Sequence, residues 1–328
     1  MDSKRFNVLR VVFLFIALFS PSLLHAQQLN PDYAEEVLSI GVGARALAMG
    51  GAFVAAASDA TAAYWNPAGL SLIDNLQICT IHATQSSLQN YDFVNIAFNS
   101  QDIGSYAFSY VRLGVDGIIQ TGPSGPTSIG TLSDTEQVEM ISGGWKLGNQ
   151  FALGGTIKFL ENNAGPSSAF GFGSDIGLLY KPIKELSFGV TAHDWTGGSF
   201  IQWQNTPTNP TQVLAPSLTI GTCFTKELGK RVSENGIMIP DSTITADFDV
   251  STLYASQGLN TYHFGVEYWY RQFVAIRGGL QSNGFQFDSD DLTLSAGIGV
   301  WVYLFEFDYA FVNYQISPTQ YLSLITRI

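Results

Sequence analysis

From Leu76 to the end of the chain the residues alternate with a period of two. Ile244, Ala246, Phe248 and Val250 alternate with Thr245, Asp247, Asp249 and Ser251. Tyr262, Phe264, Val266, Tyr268 and Tyr270 alternate with His263, Gly265, Glu267 and Trp269. Phe305, Phe307, Tyr309 and Phe311 alternate with Glu306, Asp308 and Ala310. Side chains on a strand point to opposite faces in turn, so each segment presents one large apolar row and one small, polar or acidic row. Such a strand either buries its apolar row in a core or turns it toward lipid. About fourteen segments read this way, starting near Gln77, Asp92, Gly104, Thr135, Gln150, Ala169, Glu185, Leu214, Ser242, Asn260, Gln272, Asp291, Tyr303 and Gln320. The stretches 114–133, 196–211 and 281–290, rich in Gly, Pro, Ser and Thr, read as outer loops. Residues 226–241 form a longer charged link at the opposite end.

The start of the chain decides between core and lipid. Lys4, Arg5 and Arg10 precede an apolar run over 11–19, Pro21 breaks it, and cleavage after Ala26 leaves Gln27 first. The run is too short to cross a bilayer as a helix. The exported remainder has no second apolar run of helical length. Its composition is nevertheless apolar: mean hydropathy is +0.14, and 13% of residues are charged against about 25% in ordinary soluble proteins. These properties fit strands whose outward row faces lipid. The expected fold is an all-β membrane protein, a roughly fourteen-stranded antiparallel up-and-down outer-membrane β-barrel. The net charge of −12 argues against nucleic acid as a partner. Cys79 and Cys223 lie on different segments and read as unpaired.

Residues 41–72 break the pattern. They are rich in Gly and Ala and end in Trp65-Asn66-Pro67-Ala68-Gly69, and cannot bury a core of their own. They have to pack inside or against the barrel. Asn30 to Ile40 has room for a short helix, and Ser58 or Asp59 can cap another over 60–65. Asn66-Pro67 then stops that helix, because the residue before proline is pushed out of the α region. Three parts follow: a signal peptide over 1–26, an N-terminal hatch over 27–75 and a transmembrane barrel over 76–328.

Little in the chain reads as catalytic. Gly41-Val42-Gly43-Ala44-Arg45-Ala46 matches a dinucleotide-binding fingerprint, with Asp59 downstream, but that reading needs a strand before it and a βαβ sheet after it. The glycines serve better as tight backbone turns in a confined lumen. His82, His193 and His263 stand on separate segments without metal-ligand spacing. No nucleophile elbow is present. The expectation is no enzyme, no cofactor and no metal. On the inward row stand Lys158, Asp175, Asp247, Asp249, Glu267, Arg277, Glu306 and Asp308. They read either as a lumen that binds a polar or cationic group or as cross-strand ion pairs in a polar wall. Trp195, Phe200 and Trp203 in one outer loop read either as a recognition surface or as an aromatic girdle at the headgroups.

The stretch Gly41-Val42-Gly43-Ala44-Arg45-Ala46-Leu47-Ala48-Met49-Gly50-Gly51-Ala52-Phe53-Val54-Ala55, followed by Tyr64-Trp65-Asn66-Pro67-Ala68-Gly69-Leu70, resembles the N-terminal signature of the PorV/PorQ family. These are outer-membrane proteins of the wider FadL-like group. Shorter matches continue through 174–180, 264–268, 275–279 and 307–311, so the resemblance covers nearly all of the mature chain. It implies a fourteen-stranded barrel with a hatch in the lumen that holds the Asn66-Pro67-Ala68 turn. It also implies a non-enzymatic part in type IX secretion, with a translocon and secreted proteins bearing a C-terminal signal domain as partners. FadL itself moves long-chain fatty acids, and the second reading is therefore transport of a hydrophobic small molecule. That version expects an apolar pocket lined by Phe53, Tyr64 and Trp65.

Overall fold

The structure is a computed structural model that describes residues 36–84, 89–100, 103–121, 128–195, 199–234, 237–253, 260–284, 291–315 and 317–328. The signal, its cleavage after Ala26 and the first residues of the expected hatch lie outside the described residues. The strands, in chain order, are β1 (Gln77–Thr84), β2 (Gln89–Ser100), β3 (Gly104–Thr121), β4 (Ser128–Leu147), β5 (Phe151–Ala164), β6 (Ser167–Ile183) and β7 (Leu186–His193). Then come β8 (Phe200–Gln204), β9 (Thr211–Val213), β10 (Ser217–Glu234), β11 (Ile237–Leu253), β12 (Asn260–Tyr270), β13 (Val274–Asn283), β14 (Leu292–Val302), β15 (Phe305–Asn313) and β16 (Thr319–Arg327).

Fourteen of these strands form a closed antiparallel barrel. Each pairs with its neighbour, β7 passes to β10, and β1 closes the ring on β16 from Gln77↔Arg327 to Thr84↔Gln320. The other two, β8 and β9, form a hairpin laid against the upper half of β6. Turns such as 148–150, 184–185 and 303–304 join strands at one end, and the long 194–216 connection lies at the other. In outer-membrane barrels the short turns face the periplasm, and that end is called the lower one here.

Two expected loops prove to be strand. Of the stretch 114–133, residues 114–121 continue β3 and 128–133 open β4, held by the cross-strand pairs Ile118↔Leu132 and Ile119↔Thr131. Residues 226–234 and 237–241 extend β10 and β11 below their neighbours, past an irregularity between Leu228 and Arg231 where Gly229 takes φ 72°. Glycine, proline and charge marked these stretches as loops, but backbone pairing overrides local propensity once a partner strand is adjacent.

The outward row is apolar. Ile96, Phe108, Ile141 and Ile157 are cross-strand neighbours at mid-height, and all are between 44% and 53% exposed. A continuous apolar belt of this kind suits lipid and not water. Near the lower turns rings meet one another: Phe98 with Tyr106, Tyr106 with Trp145, and Phe151 stacked on Tyr180 at 4.5 Å. Aromatic rings gather at membrane interfaces in this way.

Fourteen strands enclose more space than their own inward side chains fill. Residues 36–73 occupy it, as α1 (Glu36–Ser39), α2 (Ala44–Ala48), α3 (Ala62–Trp65) and a 3-10 turn, η1 (Pro67–Leu72). Asn66, extended at φ −158°, separates α3 from η1, and its side chain accepts from the Ala68 N–H to cap the second. Thr61 occupies the cap position of α3, and the Asp59 carboxylate accepts from the Thr61 N–H at 2.9 Å.

Candidate functional site

A segment with so little regular structure leaves most of its backbone N–H and C=O groups without helical partners, and each costs free energy if buried unpaired. The barrel wall supplies those partners. Ser142 and Thr156 donate to the Ala63 carbonyl, Ser187 to Ala55, Thr191 to Trp65 and Ser295 to Ala48. Tyr91 donates to the Gly41 carbonyl and Asn99 to that of Ile73. The Asp249 carboxylate accepts from both the Phe53 and Val54 N–H groups at 2.7 and 2.8 Å, and Asp247 from Ala56 at 3.1 Å. His263 Nδ1 lies 2.7 Å from the Gly50 oxygen. The small polar residues of the inward row are therefore sockets for the segment's main chain. Close approach is needed as well. At Gly154 a Cβ would overlap the Pro67–Ala68 peptide, and at Gly279 it would overlap the Met49–Gly50 peptide.

Asn66 is the central tie. Its Nδ2 donates to the Val54 and Leu178 carbonyls at 2.9 and 3.2 Å, so one side chain joins two parts of the segment to β6. Arg45 is the second. Its guanidinium grips both Glu267 oxygens at 2.8 Å and reaches Asp59 at 3.1 Å. Burial disfavours its charge, but Glu267, by charge and hydrogen bond, and then Asp59 outweigh that, so its pKa lies above the ordinary arginine value. From Glu267 the network continues through Arg277 (2.6 Å) to Asp308 (2.5 Å) and Glu306 (3.4 Å), and from Glu306 to Arg327 (2.5 Å).

A separate charged cluster sits on the other side of the lumen. Lys158 lies 2.9 Å from Asp175 and 2.7 Å from Asp194, and His193 lies 3.3 Å from Asp175. It marks a seam in the wall. β6 pairs with β8 up to Phe172↔Phe200 and with β7 from Ile176↔Ala192, so Gly173, Ser174 and Asp175 have no ladder partner on that edge. The chain leaves β7 there through Asp194, at φ 52°. Salt bridges hold the seam where ladder hydrogen bonds are missing.

The inward surface changes character with height. Above the seam and the Arg45 network stand Tyr91, Phe93, Val111, Leu113, Val138, Met140 and Leu160 from the wall, all buried in one apolar cluster with Ile201 of β8 and Leu214. The lower half carries the hydroxyls and the arginine–carboxylate network.

The structure places the expected residues as follows. Gly41 and Gly43, at φ 84° and 87°, frame the turn into α2, and Gly50 and Gly51, at 68° and 76°, follow it. A helix precedes the fingerprint and a five-residue helix follows it, so the context for a dinucleotide is missing. Pro67 and Ala68 are buried at the start of η1. Glu267, Arg277, Glu306 and Asp308 share the Arg45 network; Asp247 and Asp249 hold the segment's backbone; Lys158 and Asp175 join at the seam. Trp195, Phe200 and Trp203 do not form one surface. Phe200 and Trp195 are exposed, whereas Trp203 turns inward and donates to Gln212 at 2.8 Å. Phe53, Tyr64 and Trp65 close on one another instead of framing a pocket, with ring centroids 6.2 and 5.1 Å apart. Asp59, Asp194 and Arg327 were missed. Asp194 lies in a stretch that reads as loop, and only the left-handed turn brings it inward.

A closed fourteen-stranded barrel filled by its own N-terminal segment is thus the class of fold this sequence adopts. No protein-family model matches the chain, and no curated protein does. Solved structures do. The CymD monoaromatic hydrocarbon channel matches with a TM-score of 0.59 at 13% identity, over 90% of this chain and 99% of that one. The Ralstonia pickettii toluene transporter TbuX matches at 0.53 and 13%, over 88% and 98%. The P. putida toluene transporter TodX matches at 0.53 and 12%, over 88% and 99%. At such identities the likeness is one of fold.

Proposed function

We propose that this protein is an outer-membrane channel for small uncharged hydrophobic molecules. The observation that carries the reading is the apolar cluster in the upper lumen, where Phe93, Val111, Leu113 and Val138 of the wall pack with Val37, Val42 and Leu47 of the plug, above the arginine–carboxylate network. An apolar molecule gains by leaving water for the upper lumen. Straight passage downward would require breaking the many wall contacts of residues 36–73. The seam beside β6, where three residues lack ladder partners, offers a way sideways into the apolar belt once the Lys158 salt bridges open. The fold shared with hydrocarbon channels supports the same assignment. This reverses the order implied by the sequence resemblance, in which a part in secretion came first.

The test is uptake of radiolabelled toluene by cells lacking the gene and by cells complemented with it. Complementation is expected to raise initial uptake severalfold. Equal uptake in both strains overturns the assignment.

A part in type IX secretion is supported by the sequence resemblance and by one further feature. The β3–β4 ribbon at the upper end exposes Ile119 at 66% and Ile129 at 62%, apolar side chains suited to a protein partner. Mass spectrometry of material co-purified from native membranes tests it. Recovery of a large barrel translocon, or of secreted proteins sharing a C-terminal domain, supports secretion, and a lone barrel opposes it.

A further inference from the structure

Beneath the plug, at the short-turn end, lies a cavity of about 340 Å³. Its lining includes Arg45 and Ser58 of the plug and Lys181, Thr243, Trp269 and Trp301 of the wall. Its size falls at the lower end of small-molecule sites.

Every cation that lines the cavity, Lys181 apart, has a carboxylate beside it. Arg45 is satisfied by Glu267 and Asp59, Arg327 by Glu306 at 2.5 Å, and Lys184 by Glu227 at 2.5 Å. Lys181, partly buried and lining the same cavity, has no carboxylate or hydrogen-bond partner for its ammonium among the described residues. Ser58 and Thr243 bring hydroxyls that are likewise uncommitted among the described residues. One cation without a carboxylate beside it, two hydroxyls and two indole rings, each with an arginine over one face, thus line the same cavity.

We propose that this cavity binds a carboxylate, with Lys181 as its counter-ion. Two sources share that chemistry: a small free carboxylate, or the C-terminal carboxylate of a polypeptide reaching the mouth from below. Neither depends on transport of apolar molecules through the upper lumen.

The experiment is a tryptophan-fluorescence titration of the purified full-length barrel in mild detergent. Benzoate is the probe and benzamide its uncharged counterpart. Benzoate is expected to change the emission saturably, and benzamide to bind at least about tenfold more weakly, as for loss of a charge-assisted contact. Lys181→Met is expected to weaken benzoate about tenfold and leave benzamide unchanged, whereas Lys181→Arg retains benzoate binding. Heat-modifiable gel migration verifies that each variant is folded. A short Phe-terminated peptide, with its C-terminus free or amidated, separates the sources. Tighter binding of the free-ended peptide than of benzoate assigns the site to a chain end, and the opposite order assigns it to a small acid. Absence of saturable benzoate binding, or unchanged affinity in Lys181→Met, overturns the proposal.

Discussion

Asn66 shows how much one side chain holds in a plug with little secondary structure. It donates to two carbonyls and accepts from the Ala68 N–H, and the bonds to Val54 and Ala68 are fully buried. Replacing it by Ala leaves those groups without partners at about 1–3 kcal/mol each, and Pro67→Ala removes the fixed φ beside it. The pair of substitutions is expected to loosen the segment and give measurable small-solute conductance in planar bilayers. An unchanged, closed trace would show that the lumen is sealed by something else. Gly279→Ala acts from the opposite side. Its new methyl group would overlap the Met49–Gly50 peptide, so the plug must shift, and the thermal transition of the folded barrel on gels is expected to move down by several degrees. Had the segment only rested loosely in the lumen, the transition would not move.

At the level of elements, the β8–β9 hairpin stands apart from the ring. It pairs with the upper edge of β6 but belongs to no closing ladder, and it sends Ile201 into the apolar cluster. Replacing 200–213 by a short Gly-Ser link is therefore expected to leave a folded, heat-modifiable barrel while altering toluene uptake. A chain that no longer folds would mean that the hairpin is part of the wall. The hairpin also shows where the sequence could be read and where it could not. The last strands, β11 to β16, are legible because a large apolar row alternates with a mostly small or polar one, and Asp247, Glu267 and Asp308 fall on the inward row by parity alone. From β2 to β6 both rows are apolar, as at Phe108 and Val111 or Met140 and Ile141, so alternation hides the apolar upper lumen. Lys158 can be placed on an inward row, but its partner Asp194 cannot. Asp194 depends on a left-handed turn after β7, and such a turn at a non-glycine residue leaves little trace in sequence. The wall hydroxyls are equally silent: Ser142 or Ser187 looks like any polar strand residue until a carbonyl of the plug is found opposite it.

For the whole molecule, lipid is the dominant solvent. Phe108 lies in the mid-height belt, 53% exposed among Ile96, Ile141 and other apolar neighbours. Phe108→Arg is expected to cost about 2–4 kcal/mol in reversible folding into bilayers, as for a charge near the midplane. Ser128→Arg, on the exposed upper ribbon, is expected to cost little in the same assay. Equal effects at both sites would place the belt outside the hydrocarbon. The ring closes through the pairing of β1 with β16. The plug precedes the first strand and touches strands from both halves of the ring, so the nine residues of β16 both close the cylinder and complete the wall around it. A chain lacking 319–327 would hold an open sheet with two unpaired margins, those of β1 and β15. The soundness of the whole wall thus hangs on its final strand, since β16 alone supplies the partner for both exposed margins.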